Sequence, residues 1–250
     1  MKSVATLSSA VVFAVLSASL TAAPPAGPAS RRAAPPRPAP HRPAIPTDVI
    51  AVRMIEEGKS LAADGKLDEA FAIVHRAYLR AQRNHDEPTW RAAMLEKMRI
   101  VVMMKHPPAE RFFFNYIVGY YESKGESMLP TATEAAELAA EIQTRWYFDG
   151  TYSATEYGGL PFLTFWKYAI TVYERGYGVS DPRTIAFREK VIRRLEKAAL
   201  KCRRGYVKNE HNPHTRTTRK VHVAPSRYTS KAIQDAIAEI REVQRLSRKP

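Results

Sequence analysis

An all-α protein is predicted by three features of the sequence. Apolar residues recur at helical spacing through most of residues 47–250, Gly, Pro, Asp and Asn stand where these stretches must stop, and no segment sustains a period-two alternation. About eight helices are expected, paired as antiparallel hairpins in a short array.

The chain divides by composition. Residues 1–22 read as a secretory signal: Lys2 gives a positive start, and Val4 to Leu20 is apolar but diluted by Ser8, Ser9, Ser17 and Ser19. Small residues near Ala22 and Ala23 suit a signal peptidase, so the mature start is placed near Ala23; the alternative is an uncleaved anchor. Residues 23–46 form a linker rich in Pro, Ala and Arg, holding 9 of the chain's 18 prolines. It cannot bury a core, and at ~3.1 Å per residue an extended chain of this kind reaches on the order of 70 Å. Residues 47–250 are expected to fold as one helical domain.

Thr47 is a plausible N-cap for a first helix carrying Ile50, Met54, Ile55, Leu61 and Ala62, which Asp64-Gly65 ends. The second runs from about Leu67 to Arg83 with Ala70, Phe71, Val74, Ala77, Tyr78 and Ala81 on one face. Pro88 to Lys105 and Pro108 to Lys124 follow, the latter dense in Phe and Tyr. Thr131 to Glu134 reads as a capping box opening the fifth helix, which stops near Asp149-Gly150. Leu160 to Arg175, Asp181-Pro182 to Gly205 and about Ser226 to Arg248 complete the set, and Tyr206 to Pro225 is expected to be a polar connection.

Gly58, Gly65, Ala70 and Ala77 share the mutual spacings of the small residues in a tetratricopeptide repeat, and over about Ala51 to Asn84 the chain resembles that family. It departs from the family at Met54 and Glu57, which replace a large aromatic and a leucine, and lacks the closing proline after Ala81. The resemblance implies a TPR-like array, degenerate beyond the first hairpin, that binds a protein or peptide partner along a concave, aromatic side. The leading functional expectation is therefore an exported interaction or scaffold module of the cell envelope, periplasmic or extracellular, with no cofactor and no enzymatic activity.

Charge supplies the alternative. The formal net charge is +14, and Arg183 to Arg227 alone carries 14 Lys/Arg against 3 Asp/Glu. Such a concentration favours an anionic partner, an envelope polymer before nucleic acid if the chain is exported. Lys208, Arg216, Arg219, Lys220 and Arg227, set among threonines, are the candidate anion contacts, because arginine forks and hydroxyls donate to phosphate or carboxylate oxygens. The same stretch reads equally as a solvated loop.

Blander readings are preferred elsewhere. His211, His214 and His222 have a suggestive spacing, but four ligands close a structural site, the chain has one cysteine, and neighbouring cations repel a metal, so none is expected. Asp149, Tyr152, Glu156 and Tyr157 mark a loop where a carboxylate acting on cell-wall glycan is a third reading, without an accompanying catalytic motif. Cys202 lies on an apolar stripe and is read as a buried thiol; Met94, Met98, Met103 and Met104 are read as core filler before docking surface.

Overall fold

The computed structural model describes residues 47–104, 114–149, 160–212 and 217–247. Within them the order is α1 (Val49–Ala63), α2 (Leu67–Arg83), α3 (Glu87–Met103), α4 (Phe114–Glu122), α5 (Leu129–Asp149), α6 (Pro161–Tyr177), α7 (Pro182–Arg204), β1 (Tyr206–Asn212), β2 (Thr217–Val223) and α8 (Arg227–Ser247). The fold is all-α apart from this one small sheet, and consecutive helices pair as hairpins: α1 with α2, α5 with α6, α7 with α8. No helix among the described residues is long and apolar enough to cross a membrane.

The first hairpin shows why these residues pack. Gly65 turns the chain at φ 77°, a left-handed value that glycine adopts without a Cβ penalty. A Cβ on Gly58 would stand 2.2 Å from Val74 Cγ2, so the absence of a side chain there lets α1 and α2 approach. Ala70, Ala77 and Ala81 of α2 are fully buried. α3 then lies against both α1 and α2.

Small residues serve α5 in the same way. Ala132, Ala135, Ala136, Ala139 and Ala140 are all fully buried, which gives α3, α4 and α6 close access to one helix. Aromatic side chains fill the far side. Trp166 and Phe162 are completely buried, Tyr173 stacks on Phe187 with ring centroids 3.9 Å apart, and Trp166 Nε1 donates to Thr144 Oγ1 at 3.0 Å. Burying each such ring stabilises the fold by roughly 2–3 kcal/mol. Most described aromatics of α5 and α6 therefore lie in the core or are packed against it.

Ion pairs fix helix against helix. Arg99 grips Glu134 through two bonds of 2.7 Å, Lys190 pairs with Glu137, and Arg194 reaches Glu141 at 2.8 Å. Glu137 and Glu141 stand one turn apart on α5, as Lys190 and Arg194 do on α7, so the two rows face each other. Arg145 donates to the carbonyls of Val101, Val102 and Met104, satisfying the open end of α3.

Three expectations need correction. The cap of α1 is Asp48, whose carboxylate accepts from Ala51 N at 3.1 Å, and not Thr47. α5 begins at Leu129 after a 3-10 turn at Glu126–Met128, so Thr131 and Glu134 lie inside the helix and form no capping box; Glu134 is turned outward to Arg99. Tyr206 to Pro225 is not an irregular connection. Gly205, at φ 74°, ends α7, and β1 pairs antiparallel with β2 from Tyr206↔Val223 to Asn212↔Thr217. Tyr206, Val207, Val221 and Val223 are strand formers, and the Tyr206 ring packs 5.2 Å from that of Phe148.

Candidate functional site

The described candidate anion contacts on the hairpin fall on its two faces. Directly opposed residues of an antiparallel pair share a face, and neighbours along a strand alternate. Lys208, opposite Val221, and Arg219, opposite Glu210, fall on the face that carries Tyr206 toward α5; Lys220, opposite Asn209, falls on the outer face with Val207 and His222. Lys208 is half-buried, whereas Arg219, Lys220 and Arg227 are exposed. Arg216 lies outside the described residues, as do His214 and the loop 150–159 with Tyr152, Glu156 and Tyr157. Among the described residues no group of three His, Cys, Asp or Glu side chains is placed to hold a metal.

The cationic surface instead runs from α7 over the hairpin to the start of α8. Most cations of the helical body are spent on packing: Arg188 on Glu174, Lys190 on Glu137, Arg194 on Glu141, Arg241 on Glu196 at 2.6 Å. Among the described residues, Lys197, Arg203, Arg204, Lys220 and Arg227 are exposed here and take no ion-pair partner, as is also true of Arg53, Lys66, Arg76 and Arg83 on α1, α2 and the turn between them. Arg203 and Arg204 sit in the last turn of α7, where the carbonyl end of the helix dipole favours positive charge. Arg204 borders a shallow cleft at the hairpin base with Val207, His222 and Pro225.

A groove adjoins this surface. It lies between α7 and α8, has Ile192, Ala199 and Ile237 at its floor, and is rimmed by Arg193, Arg203, Arg241 and Arg245. The Arg241–Glu196 pair crosses it. The linear charge run takes in Arg193 and Arg203 but leaves out Arg241 and Arg245; the usable signal was the spacing of all four along the outer side of two amphipathic helices.

A thiol and two phenols nearby are held in their neutral forms. Burial pushes the Cys202 thiol up and pushes the Tyr147 and Tyr206 phenols up, so all three remain protonated near neutral pH. Cys202 is buried, Met94, Met98 and Met104 lie in the core, and only Met103 of the methionine stripe is exposed. The chemistry offered by this end of the molecule is attraction of negative charge, with apolar surface beside it. Comparison with known proteins found no matching family model, no matching curated protein and no matching solved structure.

Proposed function

We propose that the chain is an exported, non-enzymatic helical-repeat module of the cell envelope that holds an acidic protein partner on the basic surface of α7, the hairpin and α8. One observation carries this reading: among the described residues, Lys197, Arg203, Arg204, Lys220 and Arg227 stay exposed without an ion-pair partner on three consecutive parts of the chain, α7, the hairpin and α8, while Lys190, Arg194 and Arg241 of the same helices pair with Glu137, Glu141 and Glu196. Unpaired surface cations steer and orient a negative partner without committing the fold to any single contact. The resemblance of Ala51 to Asn84 to tetratricopeptide repeats supports a binding role, and the signal-like residues 1–22 with the linker 23–46 support presentation outside the cytoplasm.

The test is retention of envelope proteins on the immobilised chain, wild type against a variant in which Arg203, Arg204 and Lys220 are all changed to Gln. The expected result is retention of acidic proteins at low salt, loss at high salt, and loss in the variant with its helical circular dichroism intact. Equal retention by the two chains overturns the reading. A second reading has its own support: five cations spread over one end of the fold suit an extended anionic polymer. Retention of polymer or nucleic acid in place of protein, with the same salt and variant dependence, would favour it.

A further inference from the structure

We propose that the groove between α7 and α8 seats an acidic amphipathic helix of the partner protein, a deepening that rests on the reading above. The two sides of α7 differ. Lys190 and Arg194 face α5, and Arg188 faces α6, so one side is covered; Lys167 of α6 also reaches Glu239 of α8 at 2.5 Å. The opposite side carries Arg193, Glu196, Leu200 and Arg203, and there no third helix covers the α7–α8 pair among the described residues. At the other end of the fold the equivalent position is filled, since α3 packs against both α1 and α2. The molecule thus shows in itself what such a groove accepts.

Shape and charge define the occupant. Glu189 to Arg203, the stretch of α7 along the groove, covers about 21 Å at 1.5 Å per residue, the length of a four-turn helix. Leu200 is 41% exposed beside Ala199, which is 2% exposed, so the wall offers apolar area that a helix stripe would bury. Four arginines line the groove against Glu189 and Glu196; Arg193 and Arg241 pair with those two at 4.0 Å and 2.6 Å and Arg245 pairs with Glu242 at 2.6 Å, which leaves Arg203 without an ion-pair partner among the described residues and that end of the groove positive. A helix with leucines on one stripe and carboxylates flanking it complements that pattern. A basic helix, or a second copy presenting its own arginine-rich α7, does not.

The probe is a labelled synthetic peptide of about 18 residues with leucine at helical spacing and glutamate flanking it, read by fluorescence anisotropy against the full chain. Its control is a scramble of the same composition, which keeps the charge and destroys the stripe. The expected result is that the scramble binds at least about tenfold more weakly. Leu200→Asp and Ala238→Glu, both at exposed positions, should each weaken the amphipathic peptide by about tenfold while leaving circular dichroism unchanged. Equal binding of peptide and scramble, weakened in both by the Arg203, Arg204 and Lys220 changes, overturns the groove and leaves the charge-based reading standing. No binding of either peptide at low salt overturns both. A dimer of the chain alone in sedimentation, dissolved by Leu200→Asp, assigns the groove to a second copy and overturns the proposal.

Discussion

The backbone N–H of Asp48 donates to the carboxylate of Asp86 at 2.7 Å, joining the N-cap of α1 to the N-cap of α3. Asp86 also accepts from Thr89 N at 3.2 Å, and Asp48 accepts from Ala51 N, from Arg80 Nε at 2.9 Å and from Asn84 Nδ2 at 2.5 Å. One buried cluster therefore sets the starts of two helices and the end of α2. Asp48→Ala removes the cap and orphans the Arg80 and Asn84 donors, and should cost about 2 kcal/mol, a fall in melting temperature of roughly 4–8 °C. Unchanged melting would show that the cluster does not hold the hairpin to α3.

The same carboxylate gives stability a pH dependence. Burial alone would push Asp48 up, but its bonds from Arg80, Ala51 N–H and Asn84 together outweigh that and hold it below the usual carboxylate range. A depressed folded pKa contributes stability that is present above the unfolded value, ~3.9, and is lost as pH falls through the folded value. Glu141 works in the opposite sense: burial pushes it up against the pull of Arg194, so its ionisation lowers stability as pH rises through the carboxylate range. Thermal melts between about pH 2 and 7 should show a fall in melting temperature at the acid end. That fall should be shallower in Asp48→Asn, which keeps an oxygen for the Ala51 N–H but cannot titrate.

Two glycines should respond oppositely to alanine. Gly58→Ala drives its Cβ into Val74, a fully buried β-branched side chain with little freedom to move, and should destabilise by about 1–3 kcal/mol. Gly119, in α4, has open space where its Cβ would stand. Gly119→Ala should be neutral or stabilise by up to about 1 kcal/mol. Denaturant unfolding of both variants checks the pair, and a stable Gly58→Ala would mean that α1 and α2 do not pack as closely as their geometry requires.

The helices were legible because each buries one stripe of a 3.6-residue period, and α2, α7 and α8 fall within a residue or two of their expected bounds. The hairpin was not, because Lys208, Asn209, Arg219 and Lys220 put polar groups on both faces and leave no alternation to read. Its signals were weaker: strand-forming Tyr206, Val207, Val221 and Val223 behind the helix stop at Gly205. The start of α5 was misplaced for a different reason. Pro130 in its first turn was the better marker, and Thr131 to Glu134 imitated a cap that Thr133, donating to Leu129 O at 3.1 Å, replaces with an in-helix bond. The basic site was half legible, since residue type predicts charge whereas pairing depends on helices distant in sequence. Arg194 and Arg203 look alike in the chain, and only the approach of α5 separates the arginine bound to Glu141 from the one left exposed without an ion-pair partner among the described residues.

Arg188 should prove the most sensitive cation in the molecule. It is completely buried, and its guanidinium donates to Glu174 Oε1 at 2.5 Å, to the Val179 carbonyl at 3.0 Å and toward Ser247 Oγ at 3.5 Å. One side chain thus ties α6, the α6–α7 turn and the last turn of α8 to α7. Arg188→Ala leaves the Glu174 carboxylate without its charge partner and should cost about 3–5 kcal/mol, whereas exposed-pair substitutions such as Arg245→Ala should cost well under 1 kcal/mol. Arg188→Lys keeps the charge but loses the planar fork that reaches Glu174 and Val179 together, so it should recover only part of the loss. Adding Glu174→Gln to Arg188→Ala removes the stranded charge, and the double variant should be more stable than Arg188→Ala alone. Because the same contact holds α8 against α7, Arg188→Ala should also weaken the basic surface and groove as binding elements even in chains that remain folded, whereas Arg245→Ala should leave the helix pair in place. Chemical denaturation of the four variants checks the order, and equal stability of Arg188→Ala and Arg245→Ala would mean that Arg188 does not tie α6 and α8 to α7.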